Sequence, residues 1–465
     1  MKQSFDAIVI GAGQGGPTLA GRFSAAGMKV ALAERNLVGG TCVNTGCTPT
    51  KTMVASAYAA HLARRASEFG VQIDGAPRID MRRVKARKDA IVEESRAGLA
   101  SWLESLPNCT IFADHARFDS PREVTVGADT LTAERIFINV GGRAAVPPMP
   151  GIDQVPYFTN SSLLEIDFVP PHLIVIGGSY VGLEFAQIFR RFGSEVTVVE
   201  MGPRLVRRED EDVSAAIRQF LEAEGIGVRA EAKCISFSND DGDVVARLDC
   251  ATGERDVRGT HVLLAVGRVP NTGDLGLDKA GVKTDERGYI TVDDELRTTA
   301  DGIWALGDCN GRGAFTHTAF NDSEIIAANL LDGEKRRVSD RIPAYALYTD
   351  PPLGRVGLTA SEVAKTGRRA LIGTRPMTRV KRAVEKGETA GFMKIIVDAD
   401  THEILGAAIL GTGGDEVIHS IADAMYAKAP YTVIQRAVHI HPTVSELIPT
   451  MLGELQPLLP RATQS

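Results

Sequence analysis

Phe5-Asp6-Ala7-Ile8-Val9-Ile10-Gly11-Ala12-Gly13-Gln14-Gly15-Gly16 is an apolar run that breaks into a glycine cluster. An alanine-rich stretch follows to Gly27, and Lys29-Val30-Ala31-Leu32-Ala33-Glu34 closes the unit. Short apolar segments bounded by glycines read as buried strands, so the order predicted is strand, glycine turn, helix, strand. It returns at Leu173-Ile174-Val175-Ile176, Gly177-Gly178-Ser179-Tyr180-Val181-Gly182, a helix to about Phe192, and Val196-Thr197-Val198-Val199-Glu200. A third glycine-punctuated stretch, Ile303-Trp304-Ala305-Leu306-Gly307-Asp308, follows a β-rich region and returns to a helix near Asn321 to Leu331. The fold class expected is α/β, with two Rossmann-like units and a further α+β part.

A phosphate bridge can sit against a helix N-terminus only where the backbone comes close, which requires glycine; free amides and the helix dipole then stabilise the anion. Gly11, Gly13 and Gly16 have that spacing, and Glu34 ends the second strand where a ribose would offer hydroxyls. Glycine turns also occur in plain strand-helix joints, but here strand, helix and acidic residue accompany the turn. The second copy has Ser179 in place of the middle glycine, keeps Gly177 and Gly182, and again ends its strand on an acid, Glu200. Two such units suggest two dinucleotides, most economically FAD and a nicotinamide.

A chain of 465 residues exceeds one hydrophobic core and predicts several domains. Thr48 to about Leu106 reads as a charged helical stretch interrupted at Gly75 to Pro77, and Pro147-Pro148-Met149-Pro150-Gly151 as a linker. After Ile342-Pro343 come strands at Met393 to Val397 and Ile404 to Leu410 and a helix from Asp415 to Lys428. The expected division is a first FAD-binding part at 1–150, a nicotinamide nucleotide-binding domain at 151–270, a second FAD-binding part at 271–340 and an interface domain at 341–465. A net charge of −7 leaves no broad basic surface for nucleic acid, and Arg82 to Lys88 and Lys335 to Arg337 read as solvated faces. No apolar run approaches the ~20 residues of a membrane span. Six unevenly spaced cysteines predict a reducing, cytoplasmic setting rather than a disulfide framework.

Cys42 and Cys47 lie in Gly39-Gly40-Thr41-Cys42-Val43-Asn44-Thr45-Gly46-Cys47-Thr48-Pro49-Thr50-Lys51. In one regular helix their Cα atoms would be roughly 8–9 Å apart, beyond the reach of a disulfide, so an irregular segment is expected, which Asn44 and Gly46 permit. Thr48 is expected to cap the following helix, with Pro49 in its first turn. That puts Cys47 just before a helix N-terminus with Lys51 close behind, an environment that lowers a thiol pKa. The pair reads as a redox-active disulfide; two structural thiols or half a zinc site are the other readings, but zinc pairs use shorter spacings, no second pair is evident, and no metal site is expected. Cys109, Cys234, Cys250 and Cys309 read as ordinary semi-buried cysteines.

The glycine turn, the GGTCxNxGC segment after Glu34, the second nucleotide unit, Gly307-Asp308 and the ending His439-Ile440-His441-Pro442-Thr443-Val444-Ser445-Glu446 together resemble the family of dihydrolipoamide dehydrogenase, glutathione reductase and mercuric reductase. The resemblance implies that Cys47 is the thiolate facing the flavin and Cys42 the outer thiol that exchanges with substrate. It implies that Lys51 and Glu184 form the ion pair beside the flavin's hydride-accepting nitrogen, that Tyr180 is the aromatic gate over the nicotinamide, and that Asp308 binds the ribityl chain. Thr41, Gly142, Gly307 and Gly267 are likewise assigned to cofactor binding. His441, oriented by Glu446, is implied as the acid/base serving Cys42 of the partner subunit, which makes the protein a homodimer with shared active sites. His439 and His317 carry no such role.

Thr-Pro-Thr-Lys after Cys47 and the Gly-Gly-Ser-Tyr turn look most like mercuric reductase-like proteins, but no cysteine follows Cys309 to receive Hg²⁺. The expectation is an oxidoreductase acting on a disulfide or other small acceptor. Dihydrolipoamide dehydrogenase is the alternative, and a non-catalytic flavoprotein used for binding or redox sensing the alternative of another class. Glu200 favours NADH, while Arg204, Arg207 and Arg208 make NADPH possible.

Overall fold

The computed structural model describes residues 1–232, 235–248 and 256–458; Cys234 and Cys250 lie outside them. The first glycine unit builds a five-stranded parallel sheet in the order Ile303–Ala305, Arg135–Ile138, Ala7–Ile10, Val30–Ala33, Cys109–Phe112. The second builds another, Tyr157–Phe158, His261–Leu264, His172–Ile176, Glu195–Val199, Gly227–Arg229, again all parallel. Sheets of this kind are covered on both faces, so their central strands are continuous apolar runs rather than alternating ones. Ala7-Ile8-Val9-Ile10 and Leu173-Ile174-Val175-Ile176 are accordingly buried along their whole length.

In both sheets the glycine-bearing strand is central, with its sequence neighbour on one side and a strand from much later in the chain on the other. That reversal of strand order opens a crevice beyond the carboxyl ends of the strands. Gly11 and Gly177 turn the chain there with φ of 105° and 115°. A Cβ on Gly11 would lie 2.4 Å from the Asn139 carbonyl oxygen, and one on Gly177 2.3 Å from that of Ala265. Strand and helix close up at the third position, where a Cβ on Gly16 or Gly182 would lie 2.1 Å from the carbonyl oxygen of Gly11 or Gly177. The middle position is looser: a Cβ on Gly13 would find its nearest neighbour at 3.4 Å. Packing within the protein therefore tolerates Ser179 in the second copy.

The C-terminal part is a six-stranded antiparallel sheet, Ala344–Leu347, Leu353–Gly357, Ile404–Leu410, Phe392–Asp398, Ala370–Pro376, Gln456–Pro457, covered by the helix Gly414–Tyr426. It joins the second parallel unit through buried charges. Arg355 and Lys394, each 1% exposed, pair with Glu209 and Asp210, residues of the loop that follows the strand Glu195–Val199. Among the described residues no helix is long and apolar enough to cross a membrane.

The helical stretch from Thr48 is two helices, Cys47–Arg64 and Met81–Glu104, with the expected interruption at Gly75 to Pro77 between them and the second capped by the Asp80 carboxylate on the Arg83 amide at 3.1 Å. Two local expectations are corrected. Lys88 is not part of a solvated face: it is 2% exposed and its ammonium lies 3.3 Å from Glu165, because the inner side of the long helix packs against that segment. Cys309 is fully buried, its thiol donating to the carbonyls of Ile138 and Leu306, whereas Cys109 is half-buried.

Candidate active site

Cys42 and Cys47 belong to two helices, Gly40–Thr45 and Cys47–Arg64, broken at Gly46 with φ −133° and ψ −114°. A Cβ on Gly46 would lie 2.8 Å from the Thr41 carbonyl oxygen, so the break that lets the sulfurs meet has no room for a larger residue. Asn44 donates its amide to the carbonyls of Val38 (2.9 Å) and Gly40 (3.0 Å), and Asn160 donates to that of Thr45 at 2.8 Å. The expected Thr48 cap is not formed. The helix starts at Cys47 itself, Gly46 occupies the cap, and the Thr48 carbonyl accepts the Thr52 hydroxyl instead.

Cys42 and Cys47 are free thiols, the reduced form of the pair, and both line one cavity. Cys47 has its pKa lowered to about 6 by the Cys42 hydrogen bond, the Thr316 hydroxyl and the Lys51 ammonium, against an opposing effect of burial. The same thiol–thiol bond, together with burial, pushes Cys42 far up. Of the two sulfurs, Cys47 is the one favoured as thiolate. Thr316 Oγ1 lies 3.3 Å from Cys47 Sγ, at the first residue of the helix Thr316–Leu331. Alkylation of Cys47 in the reduced protein, followed by mass spectrometry against pH, is expected to rise with a midpoint near 6. Thr316→Val should move that midpoint upward by roughly one to two pH units, since hydrogen bonds to charged groups are worth about 1.5–3 kcal/mol. An unmoved midpoint would remove Thr316 from the site.

Lys51 Nζ lies 2.6 Å from Glu184 Oε2, and the Tyr348 amide donates to Glu184 Oε1 at 2.9 Å. The ammonium also stands 4.6 Å from the centre of the Tyr348 ring. One cavity of about 1220 Å³ joins these groups to the first glycine turn, with Gly11, Gly13, Glu34 and Thr41 on its wall as well as Gly307 and Asp308. Glu34 accepts from the amides of Ala12 and Asn36, each at 2.8 Å, which orients its carboxylate at the turn. Burial pushes the Asp308 carboxyl upward against the opposing charge of Arg268, 3.5 Å away. Gly142 is not on this wall: it is buried in the strand Gly142–Ala144, and its neighbour Gly141 faces the cavity instead. Gly16 is likewise off the wall and serves the strand-helix contact.

A second cavity of about 370 Å³ lies at the other glycine turn, lined by Gly177, Glu200, Arg207 and Gly267. Tyr180 and Arg268 line both cavities. Glu200 accepts from the amides of Gly178 (2.7 Å) and Gly202 (2.6 Å), whereas Gly182 packs beneath the turn. Of the three arginines, Arg207 faces the cavity and Arg204 is tied back to the carbonyls of Arg207 and Glu209.

His441 Nδ1 lies 2.9 Å from Glu446 Oε2, with the imidazole side chain 70% exposed. The pair is formed as expected, but His441 is not on the wall that holds Cys42 and Cys47 of its own chain. Val438 and Ile440 beside it are 100% and 81% exposed. His439 Nδ1 lies 3.2 Å from the Ala437 carbonyl. His317, given no role from sequence, stands on the large cavity's wall with Nε2 2.8 Å from the Ala344 carbonyl. Thr316, Tyr348 and Arg268 were also missed, and no local motif marks them. Among the described residues no group of three or more His, Cys, Asp and Glu side chains could hold a metal ion.

Compared with known proteins, residues 5–323 match the family described as "Pyridine nucleotide-disulphide oxidoreductase", and residues 343–452 its dimerisation domain. The chain is 35% identical over 451 residues to "Probable pyridine nucleotide-disulfide oxidoreductase RclA" of Escherichia coli, covering 95% of this chain and 97% of that one. A solved Cu(II) complex of that protein, described as an HOCl-induced flavoprotein disulfide reductase, superposes with a TM-score of 0.89 at 32% identity, covering 97% of this chain and 99% of the other. Identity is 34% to a dihydrolipoyl dehydrogenase of Thermus scotoductus, covering 96% of each chain. It is also 34% to a mercuric reductase of Streptomyces lividans, covering 96% of this chain and 94% of the other. With two parallel nucleotide units, a thiol pair at their junction and likeness along nearly its whole length, the chain is an oxidoreductase that belongs to the pyridine nucleotide-disulphide oxidoreductase family.

Proposed function

We propose that this protein takes reducing equivalents from NADH and delivers them through Cys47 and Cys42 to a disulfide or another small acceptor. The observation that carries the reading is the polarised thiol pair, with Cys47 near 6 and Cys42 far up, on the wall of a cavity that also holds a dinucleotide-type glycine turn. Members of the family depend on FAD and use a pyridine nucleotide. The cavity fits FAD: at about 1220 Å³ it exceeds the roughly 300–1,000 Å³ of pockets for drug-sized ligands, and the glycine turn at Gly11 and Gly13, the Glu34 carboxylate and Asp308 all line it. Gly11, Gly13, Glu34, Thr41 and Asp308 would hold the cofactor, which when bound accepts hydride and passes electrons on.

The chain's own residues do the rest. Lys51 supplies a fixed positive charge beside Cys47, and Glu184, held by the Tyr348 amide, keeps that ammonium in place. Cys47 then carries the thiolate, while Cys42 keeps a proton until a base takes it. His441, oriented by Glu446, is that base for Cys42 of the partner subunit; the exposed Val438 and Ile440 beside it offer an apolar face of the kind a dimer covers. This polarisation also argues against a non-catalytic flavoprotein, because binding alone needs no thiolate. The relative at 34% identity supports a second reading, oxidation of a dihydrolipoyl-type dithiol with NAD⁺ by the same groups. Turnover of purified holoenzyme with NADH or NADPH against disulfides, quinones, Cu(II) and Hg(II), with dihydrolipoamide plus NAD⁺ as the reverse arm, tests both; no turnover in any arm sinks them.

Nucleotide choice follows from Glu200. Its carboxylate is held at the second cavity by two backbone amides, where it would accept from a 2′-hydroxyl and repel a 2′-phosphate. Wild type is expected to show the higher kcat/KM with NADH, and Glu200→Ala to narrow the ratio by roughly tenfold. A wild-type preference for NADPH would refute the assignment and point to Arg207 as the phosphate ligand.

A further inference from the structure

Tyr180 stands where the two cavities meet, and its ring is packed rather than free. The Phe315 ring centre lies 5.5 Å from that of Tyr180 at an interplanar angle of 40°. Tyr345 stacks on Phe315 at 5.8 Å and 7°, and His317 does so at 5.3 Å and 9°. Tyr345 in turn donates its hydroxyl to Glu209, which is 2% exposed and pairs with the buried Arg355. Glu209 also returns to the second glycine turn. Its amide donates to the Val206 carbonyl at 2.8 Å, and the Val206 amide donates to the Gly178 carbonyl at 2.8 Å. Val206 holds φ 41°, a left-handed conformation rare for a β-branched residue, so this loop is kept in shape by its surroundings.

These contacts close a ring around the junction: glycine turn, Val206, Glu209, Tyr345, Phe315, Tyr180. Hydride transfer needs the donor and acceptor atoms within about 3.5 Å, so a nicotinamide in the second cavity can reach the first only if Tyr180 leaves the junction. Leaving costs the contact with Phe315. We propose that Phe315 and Tyr345, fixed by Glu209, are positioning residues that hold Tyr180 in its resting place and so set the cost of nucleotide entry. The inference rests on reading Tyr180 as the gate to the nicotinamide.

The test uses holoenzyme carrying Tyr180→Ala, Phe315→Leu or Tyr345→Phe, with results normalised to bound FAD. Affinity for NAD⁺ and NADP⁺ is read by calorimetry, and flavin reduction at saturating NADH by stopped flow. An aromatic pair contributes about 0.5–1.5 kcal/mol, so Phe315→Leu should tighten binding of the preferred nucleotide roughly 2- to 12-fold. Tyr345→Phe, which keeps the stack and loses only the hydrogen bond to Glu209, should act in the same direction and less. A purely structural role would change thermal stability without tightening binding. Tighter binding in Tyr180→Ala with wild-type affinity in the other two overturns the relay and leaves the gate standing. Unchanged or weaker binding in Tyr180→Ala overturns both.

Discussion

Cys47→Ser is expected to lower NADH-driven disulfide reduction by at least about 10³-fold, and Cys42→Ser by as much, because a serine hydroxyl neither ionises near neutral pH nor exchanges with a disulfide. The two variants should nevertheless look different. Cys47 opens onto the large cavity and carries the lowered pKa, whereas the Cys42 proton is strongly held. Two-electron reduction of wild type should therefore produce a long-wavelength absorption from a thiolate lying against the flavin. Cys42→Ser should keep that band and Cys47→Ser should lose it. A wild-type protein whose flavin bleaches without passing through the band would reverse the reading of which sulfur faces the cofactor.

His441→Ala is expected to cost disulfide turnover about 10²–10⁴-fold, the usual range for loss of a general acid/base. Reduction of the flavin by NADH should be spared, because the role given to His441 is to move a proton at Cys42, a step that follows hydride transfer. The family's dimerisation domain spans residues 343–452, which include this histidine and its carboxylate partner. If the imidazole works across the interface, mixing inactive His441→Ala with inactive Cys42→Ser subunits should restore part of the activity once subunits exchange. Mixed dimers verified by mass spectrometry but still inactive would place the acid/base elsewhere. Glu446→Gln offers a finer reading: it keeps the size of the side chain but removes the charge that orients the imidazole at 2.9 Å from Nδ1, so disulfide turnover should fall, and by less than in His441→Ala.

The differences between the two levels of reading have local causes. Gly11, Gly16, Gly177 and Gly182 were readable because each sits where a Cβ would meet backbone within 2.4 Å, a demand that only one residue type meets. Gly142 was assigned one residue from Gly141, which faces the cavity, because adjacent glycines carry no sign of which one faces a ligand. Thr48 looked like a cap from its residue type, yet the kink at Gly46 starts the helix one residue earlier. Lys88 looked solvated because its neighbours are charged. Periodicity along a helix cannot report that Glu165 approaches its inner side.

Features that depend on neighbouring residues were legible along the chain: two strand–glycine–helix units, an acid at the end of each second strand, and a cysteine spacing that a disulfide could bridge only across a broken helix. Features that depend on chain crossings were not. Thr316 reaches the Cys47 sulfur across 269 residues of sequence, Glu184 reaches Lys51 across 133, and the Tyr348 amide holds Glu184 across 164. Hydrogen bonds act only within about 3 Å, so which of the chain's many hydroxyls, ammoniums and rings tune the thiolate is settled only when the separate sheets pack together. The same holds for His441 in reverse: its carboxylate partner is five residues away and was legible, but its distance from the thiols of its own chain emerged only from the packed fold.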